Sequence, residues 1–196
     1  FPEYIWSFDS QEKEVYLTFD DGPHPEITPW VLDQLKQYEA KASFFCIGNN
    51  VQKYPDVFEL IRKEGHAIGN HTFHHLNGWK TSRNGYLSDI AKAAEWIDSS
   101  LFRPPYGRMK RRYARKLAAS MSKEQVSIIM WDVLSADFDR SISSQQCLDN
   151  VINNYGPGSV IVFHDSEKAF PHLQQVLPAV LNDIKKKGYI SKKIGL

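Results

Sequence analysis

Two kinds of apolar run alternate along this chain, and their order restricts it to few folds. Short runs of period-two or continuous apolar character cover Val15–Asp20, Ala42–Ile47, Ala67–Asn70, Leu101–Arg103, Val126–Trp131 and Ser159–His164, with another near Tyr189. These read as strands. Between them apolar residues recur at helical spacing. Ile27, Val31, Leu35 and Tyr38 share one face, as do Val57, Leu60 and Ile61, then Leu87, Ile90, Ala94 and Ile97. Leu148, Val151, Ile152 and Tyr155 follow a Ser143-Ser144 cap; the last set runs from Leu173 to Ile184, with Pro178 as an expected kink and Gly188 as its stop. Strand alternating with helix implies parallel strands joined by helical crossovers. About seven such units predict an α/β fold, a distorted (β/α)7-type barrel or strongly curled sheet, as one domain over residues 1–196.

The formal net charge is +1, so no whole-molecule field favours nucleic acid, and no nucleic-acid partner is expected. No apolar run reaches the ~18 residues needed to span a bilayer, so no integral membrane segment is expected. Two cysteines, Cys46 in an apolar strand and Cys147 in a helical run, make no disulfide framework. A monomer is expected. Compartment is left open: an exported, periplasmic or cell-surface protein with its leader removed would begin like this chain, and so would a cytoplasmic one.

Chemistry-bearing residues gather where strands give way to loops, which is where parallel α/β folds collect catalytic groups. Asp20-Asp21 at the first such point places two like charges side by side, which a cation would relieve. One carboxylate would then bind the ion and its neighbour stay free as a base; Asp-Asp-Gly-Pro is equally a turn sequence. His71 and His75 at a spacing of four would share one face of a helical turn and one ion, although two histidines alone are as readily surface residues. Imidazole with carboxylate suits Zn2+, or Co2+, Ni2+ or Fe2+. His74 projects elsewhere, His66 reads as a satisfied strand histidine, His24 as a residue at the mouth and His172 as a helix-surface residue.

Thr18-Phe19-Asp20-Asp21-Gly22, His71-Thr72-Phe73-His74-His75, Arg103-Pro104-Pro105-Tyr106-Gly107 and the late strand ending in His164 together resemble the polysaccharide deacetylases of carbohydrate esterase family 4, the NodB-homology domain. The likeness runs over residues 15–190 with the motifs in the family's order. It implies a distorted barrel and hydrolysis of acetyl groups on a glycan. Carried over by residue, Asp20 resembles the catalytic base, Asp21, His71 and His75 the metal ligands, and Arg103 the partner of the base. Pro105 and Tyr106 resemble the groove wall, with the Tyr106 N–H as oxyanion donor, and His164 resembles the catalytic acid. Trp131 and Val162 resemble residues near the acetyl methyl, Val162 standing where the family usually has Leu.

The segment after Trp131 departs from the family's Asp-x-x-Asp-Trp. Leu134 replaces the first Asp and Phe138 the Trp. Asp137 matches the second Asp, which partners the acid histidine, with Asp132 and Asp139 as alternatives. The basic run from Arg108 to Lys116 reads as a solvated helix face, and its start near the Pro-Pro-Tyr-Gly turn also suits an anionic glycan. The expected function is metal-dependent N-deacetylation of an amino-sugar glycan, peptidoglycan N-acetylglucosamine or a chitin-like oligomer. An O-acetyl esterase acting on xylan and a non-catalytic glycan-binding protein are the alternatives.

Overall fold

Every pair of neighbouring strands runs parallel, as the alternation requires. The computed structural model describes residues 4–195. Its strands are β1 (Tyr4–Ile5), β2 (Glu14–Asp20), β3 (Ala42–Cys46), β4 (Ala67–Asn70), β5 (Leu101–Phe102), β6 (Ser127–Ile129), β7 (Val133–Leu134), β8 (Val160–His164) and β9 (Ile190–Ser191). The helices are α1 (Ile27–Gln37), α2 (Gly48–Lys53), α3 (Pro55–Lys63), α4 (Arg83–Ala94), α5 (Arg111–Ala114), α6 (Leu117–Ser120), α7 (Ser144–Ile152) and α8 (Phe170–Lys186). The order across the sheet is β1-β6-β5-β4-β3-β2-β8-β7, with β9 on β2.

Chain length dictates the curl. Ile129 ends β6 and Val133 begins β7, yet these strands stand near opposite ends of the order. Four residue steps reach at most about 14 Å. The sheet must therefore wrap until its flanks approach, giving an incomplete barrel. The N-terminal segment crosses the remaining seam. Tyr4 and Ile5 register with Ile128 and Ile129, and the Met130 N–H donates to the Ile5 carbonyl at 2.7 Å. Ser7 then bridges Ser159 antiparallel, and the Phe8 N–H donates to the Gly158 carbonyl at 2.8 Å. Neither β1 nor β7 was predicted.

Strand alternation sorts side chains between two cores. Phe19, Phe44 and Phe163 point outward and stack, with centroids 5.1 and 5.9 Å apart, against the apolar faces of α1, α7 and α8. Phe45, Leu101, Ile129 and Val160 point inward and fill the barrel, with Ile194 closing one end. α7 starts at a capping box in which Ser143 and Gln146 bond reciprocally, so the predicted cap holds. α8 continues through Pro178 as one helix, and Gly188 stops it at φ +74°. No helix among the described residues is long and apolar enough to cross a membrane. Cys46 and Cys147 are buried free thiols.

Candidate active site

The strand register assembles the site. Asp20, last in β2, stands directly opposite His164, last in β8. Neighbouring strands lie ~4.8 Å apart, so a carboxylate and an imidazole meet at one rim. His71 directly follows β4 and Arg103 directly follows β5, and the Arg103 N–H donates to the Asn70 carbonyl at 3.0 Å. Four distant motifs therefore become neighbours through ordinary ladder pairing.

Arg103 is wholly buried, which for a guanidinium demands complete pairing. Its Nε donates to the Ile129 carbonyl (3.0 Å) and Nη2 to the Met130 carbonyl (2.8 Å). Nη1 donates to Thr18 Oγ1 and to Asp20 Oδ1, both at 2.7 Å. The Phe45 ring lies 4.1 Å from the guanidinium carbon and the Trp131 ring 5.6 Å. Burial by itself would raise the Asp20 carboxyl. The Arg103 guanidinium, aided by His164, outweighs burial and holds Asp20 below the usual carboxylate range. Asp20 is thus an ionised carboxylate whose orientation is fixed.

Asp21, His71 and His75 each offer one ligand atom, and these atoms all lie within 4.8 Å of one another. Asp21 Oδ1 is 3.2 Å from His75 Nε2 and 3.7 Å from His71 Nε2, and it is buried without a hydrogen bond. An orphaned buried carboxylate oxygen facing two imidazole nitrogens is the donor set a divalent cation fits. His71 Nδ1 donates to the Arg103 carbonyl at 2.8 Å, which leaves the Nε2 lone pair for a ligand. Burial lowers His71 to about 4, so the ring is neutral.

The route by which the histidines converge differs from the helical turn read from their spacing. Residues 71–75 are a loop in which Thr72 (φ +65°) and His75 (φ +57°) are left-handed. Asp21 (φ +83°) and Tyr106 (φ +60°) share that conformation. Strained backbone of this kind gathers where geometry is over-determined by its surroundings.

The holders of these loops were not read from the sequence. Asp89 on α4 accepts the Phe73 and His74 backbone N–H groups, each at 2.9 Å, and pairs with His74 Nδ1 at 2.5 Å. His74 therefore braces the loop rather than facing the three-ligand cluster. Asn50 Nδ2 donates to the Asp21 carbonyl at 2.8 Å. Asp165, fully buried, accepts from the Gly22 N–H at 3.0 Å and from the Thr28 hydroxyl. A Cβ on Gly22 would lie 2.1 Å from Asp165 Oδ2, so only glycine fits there. The one sequence signal was an Asp directly after His164.

Asp137, and neither alternative, meets His164. Its Oδ1 lies 2.8 Å from His164 Nδ1, and its Oδ2 accepts the His164 backbone N–H at 2.8 Å. Asp132 instead accepts from Ser159 and Val160, and Asp139 from Ser141. Burial disfavours the His164 imidazolium, but the Asp137 carboxylate more than compensates and lifts His164 to about 9. Phe138, in place of the family's Trp, meets the His164 ring edge-on at 5.1 Å. His172, read as a surface residue, is half-buried and donates to the Asp137 carbonyl at 3.0 Å.

The remaining predicted residues surround these. Tyr106 is exposed and its ring lies 4.6 Å from that of His75, while Pro105 is buried beneath it. Trp131 sits in the short passage between β6 and β7. Val162 is buried on β8 and shares the inward face with His164, one step deeper. His66 is a satisfied strand histidine, accepting the Ala42 N–H at 3.1 Å. His24 lines a hollow of about 260 Å³ with Asp21, Asn50, His75 and Glu167.

Comparison with known proteins agrees with the fold. Residues 8–126 match the family described as polysaccharide deacetylase. The chain is 36% identical over 194 residues to a peptidoglycan-N-acetylglucosamine deacetylase of Bacillus cereus, covering 94% of this chain and 68% of that one. It is 31% identical over 161 residues to a chitooligosaccharide deacetylase of Azorhizobium caulinodans, covering 79% and 74%. A crystal structure of a peptidoglycan N-acetylglucosamine deacetylase in complex with 4-naphthalen-1-yl-N-oxidanyl-benzamide superposes with a TM-score of 0.88 at 34% identity, covering 97% of this chain and 90% of that one.

Proposed function

This chain belongs to the polysaccharide deacetylase family, and from that premise we propose that it removes N-acetyl groups from an amino-sugar glycan in a metal-dependent reaction. The substrate class is peptidoglycan N-acetylglucosamine or a chitin-like oligomer, the classes named for its relatives. The observation that carries the reading is the convergence of an arginine-paired carboxylate, a carboxylate-paired imidazole and a three-ligand cluster at one barrel rim.

Asp21, His71 and His75 would hold the ion, zinc or else cobalt, nickel or iron. When bound, it supplies Lewis acidity to the acetyl carbonyl and eases ionisation of the attacking water. Asp20 accepts a proton from that water as the new C–O bond forms, and Arg103 keeps it ionised and aimed. The Tyr106 N–H donates to the carbonyl oxygen as negative charge grows there; one such donor is typically worth ~2.7–4 kcal/mol. His164 gives its proton to the amine nitrogen as the C–N bond breaks, so acetate and a free amine leave. Asp137 keeps His164 protonated for that step. Val162 and Trp131 face the acetyl methyl. Pro105 supports the turn that carries the N–H.

Acetate release from chitooligosaccharides, peptidoglycan fragments and acetylated xylan tests the reading. Release from the amino-sugar glycans should stop with chelation and return with zinc or cobalt. Indifference to chelation would remove the metal assignment, and release confined to xylan would make the protein an O-acetyl esterase.

A further inference from the structure

Beside the site, two segments run outward together, one from His75 to Trp79 and one from Tyr106 to Arg108. The Gly78 N–H donates to the Arg108 carbonyl at 3.1 Å, and Gly78 registers with Met109. A Cβ on Gly78 would lie 2.6 Å from that carbonyl oxygen, so the approach depends on glycine. The consequence is that Trp79 and Arg108, adjacent to this contact, meet. The guanidinium carbon lies 5.1 Å from the indole ring. Trp79 is 57% exposed, and its backbone N–H donates to Asn77 Oδ1 at 3.0 Å. Arg108 is exposed, and among the described residues it has no carboxylate within ion-pair distance.

An exposed indole on a braced turn offers a flat apolar face for a sugar ring. The cation beside it adds a charge preference. That preference is local. No acidic residue occurs from His71 to Ser88 or from Arg103 to Ser122, whereas Lys80, Arg83, Lys110, Arg111 and Arg112 join Arg108 there. With a net charge of only +1, the whole molecule does not explain this one-sign patch. Its inner end is Tyr106, whose ring contacts that of the metal-ligand candidate His75. A glycan seated at the site would continue over it.

We propose that Trp79 and Arg108 form a subsite for a carboxylate-bearing sugar adjacent to the ring being deacetylated, an inference that rests on the deacetylase reading above. Trp79 stacks on the ring and Arg108 pairs with the carboxylate. The subsite makes the enzyme prefer acidic amino-sugar oligomers over neutral ones of equal length.

The test compares acetate release from two oligomers of matched length. One contains N-acetylglucosamine alone; the other carries a 3-O-lactyl carboxylate on alternate rings. In Arg108→Gln the acidic-to-neutral ratio of kcat/KM should fall about fivefold through KM, the size of one exposed ion pair. Arg108→Lys should keep most of the preference. Added salt should weaken it in the wild type, because exposed charges are screened. Trp79→Ala should raise KM for both oligomers. An unchanged ratio in Arg108→Gln, or a change confined to kcat, overturns the proposal. Calorimetric binding of the acidic oligomer to Asp20→Asn, with and without Arg108→Gln, reads the subsite without turnover. Wild-type protein that releases no acetate from either oligomer would refute the deacetylase reading, while Arg108-dependent binding would still decide the subsite.

Discussion

Replacing Asp137 with asparagine should move the alkaline limit of activity by more than two pH units. Burial pushes the His164 imidazolium towards losing its proton, and the Asp137 carboxylate 2.8 Å away reverses that, holding the ring at about 9. In its proposed role as the acid that releases the amine, His164 must carry a proton. The wild type keeps that form through neutrality and loses it as pH rises through about 9. In Asp137→Asn the largest opposing charge is gone and burial remains, countered only by the weaker pull of Asp21 and Asp20, so the ring falls back towards its ordinary ~6.5. At pH ~7.5 the protonated fraction then drops from about 97% to about 9%, a roughly tenfold loss from proton occupancy alone. The assay is kcat/KM for acetate release from a chitooligosaccharide across about pH 5 to 10, with thermal unfolding to confirm that the variant is folded. The expected profile loses its plateau between about 6.5 and 9. An alkaline limb still near 9 in the variant would mean that another group sets it. A uniform loss at every pH would make Asp137 an orienting group with no hold on the proton affinity of His164.

Other substitutions probe the remaining parts. Asp20→Asn should cut kcat by about 10²–10⁴ while calorimetry finds zinc binding retained, because Asp21 and not Asp20 belongs to the ligand cluster; loss of zinc binding would merge the two roles. Arg103→Met leaves the Asp20 charge buried and unpaired, and urea unfolding should show a loss of ~3–5 kcal/mol along with activity. Asp165→Ala strands the Gly22 N–H and the Thr28 hydroxyl, for a loss of ~1–3 kcal/mol per group. Zinc affinity should fall with it, as Gly22 follows Asp21 directly; unchanged affinity would show that Asp165 does not set the ligand's position. The His164–Asp137 pair also stabilises the fold. Because the folded pKa is raised to about 9, that contribution is complete below the unfolded value of ~6.5 and fades as pH rises through 9. Urea titrations should show it vanish in Asp137→Asn.

What could be read from the residues follows the range of the physics involved. The long strands β2, β3 and β8 and the amphipathic faces of α1, α7 and α8 carry enough residues for period to declare itself. The two-residue strands β1 and β7 do not, and they owe their pairing to closure of the curl. The site motifs were legible because their chemistry is concentrated in a few side chains of unusual type. Their local geometry was less so: a spacing of four suggested a helical turn at His71 and His75, and left-handed residues in a loop achieve the same meeting. The braces were hidden for another reason. Asp89, Asn50 and Asp165 act on backbone groups far away in sequence, and Thr28 on the distant Asp165 carboxylate, and one chain read in order has no term for a contact of that kind.

The passage from β6 to β7 joins the two flanks of the curl, and its entrance supplies the Ile129 and Met130 carbonyls that hold Arg103. Shutting the ring and aiming Arg103 at Asp20 are thus a single mechanical event. A molecule with its flanks sprung apart has no competent guanidinium to offer, however intact its helices. Turnover therefore doubles as a gauge of whether the circle has been completed, and the segment from Tyr4 to Ser7, distant from any chemistry, acts as its clasp.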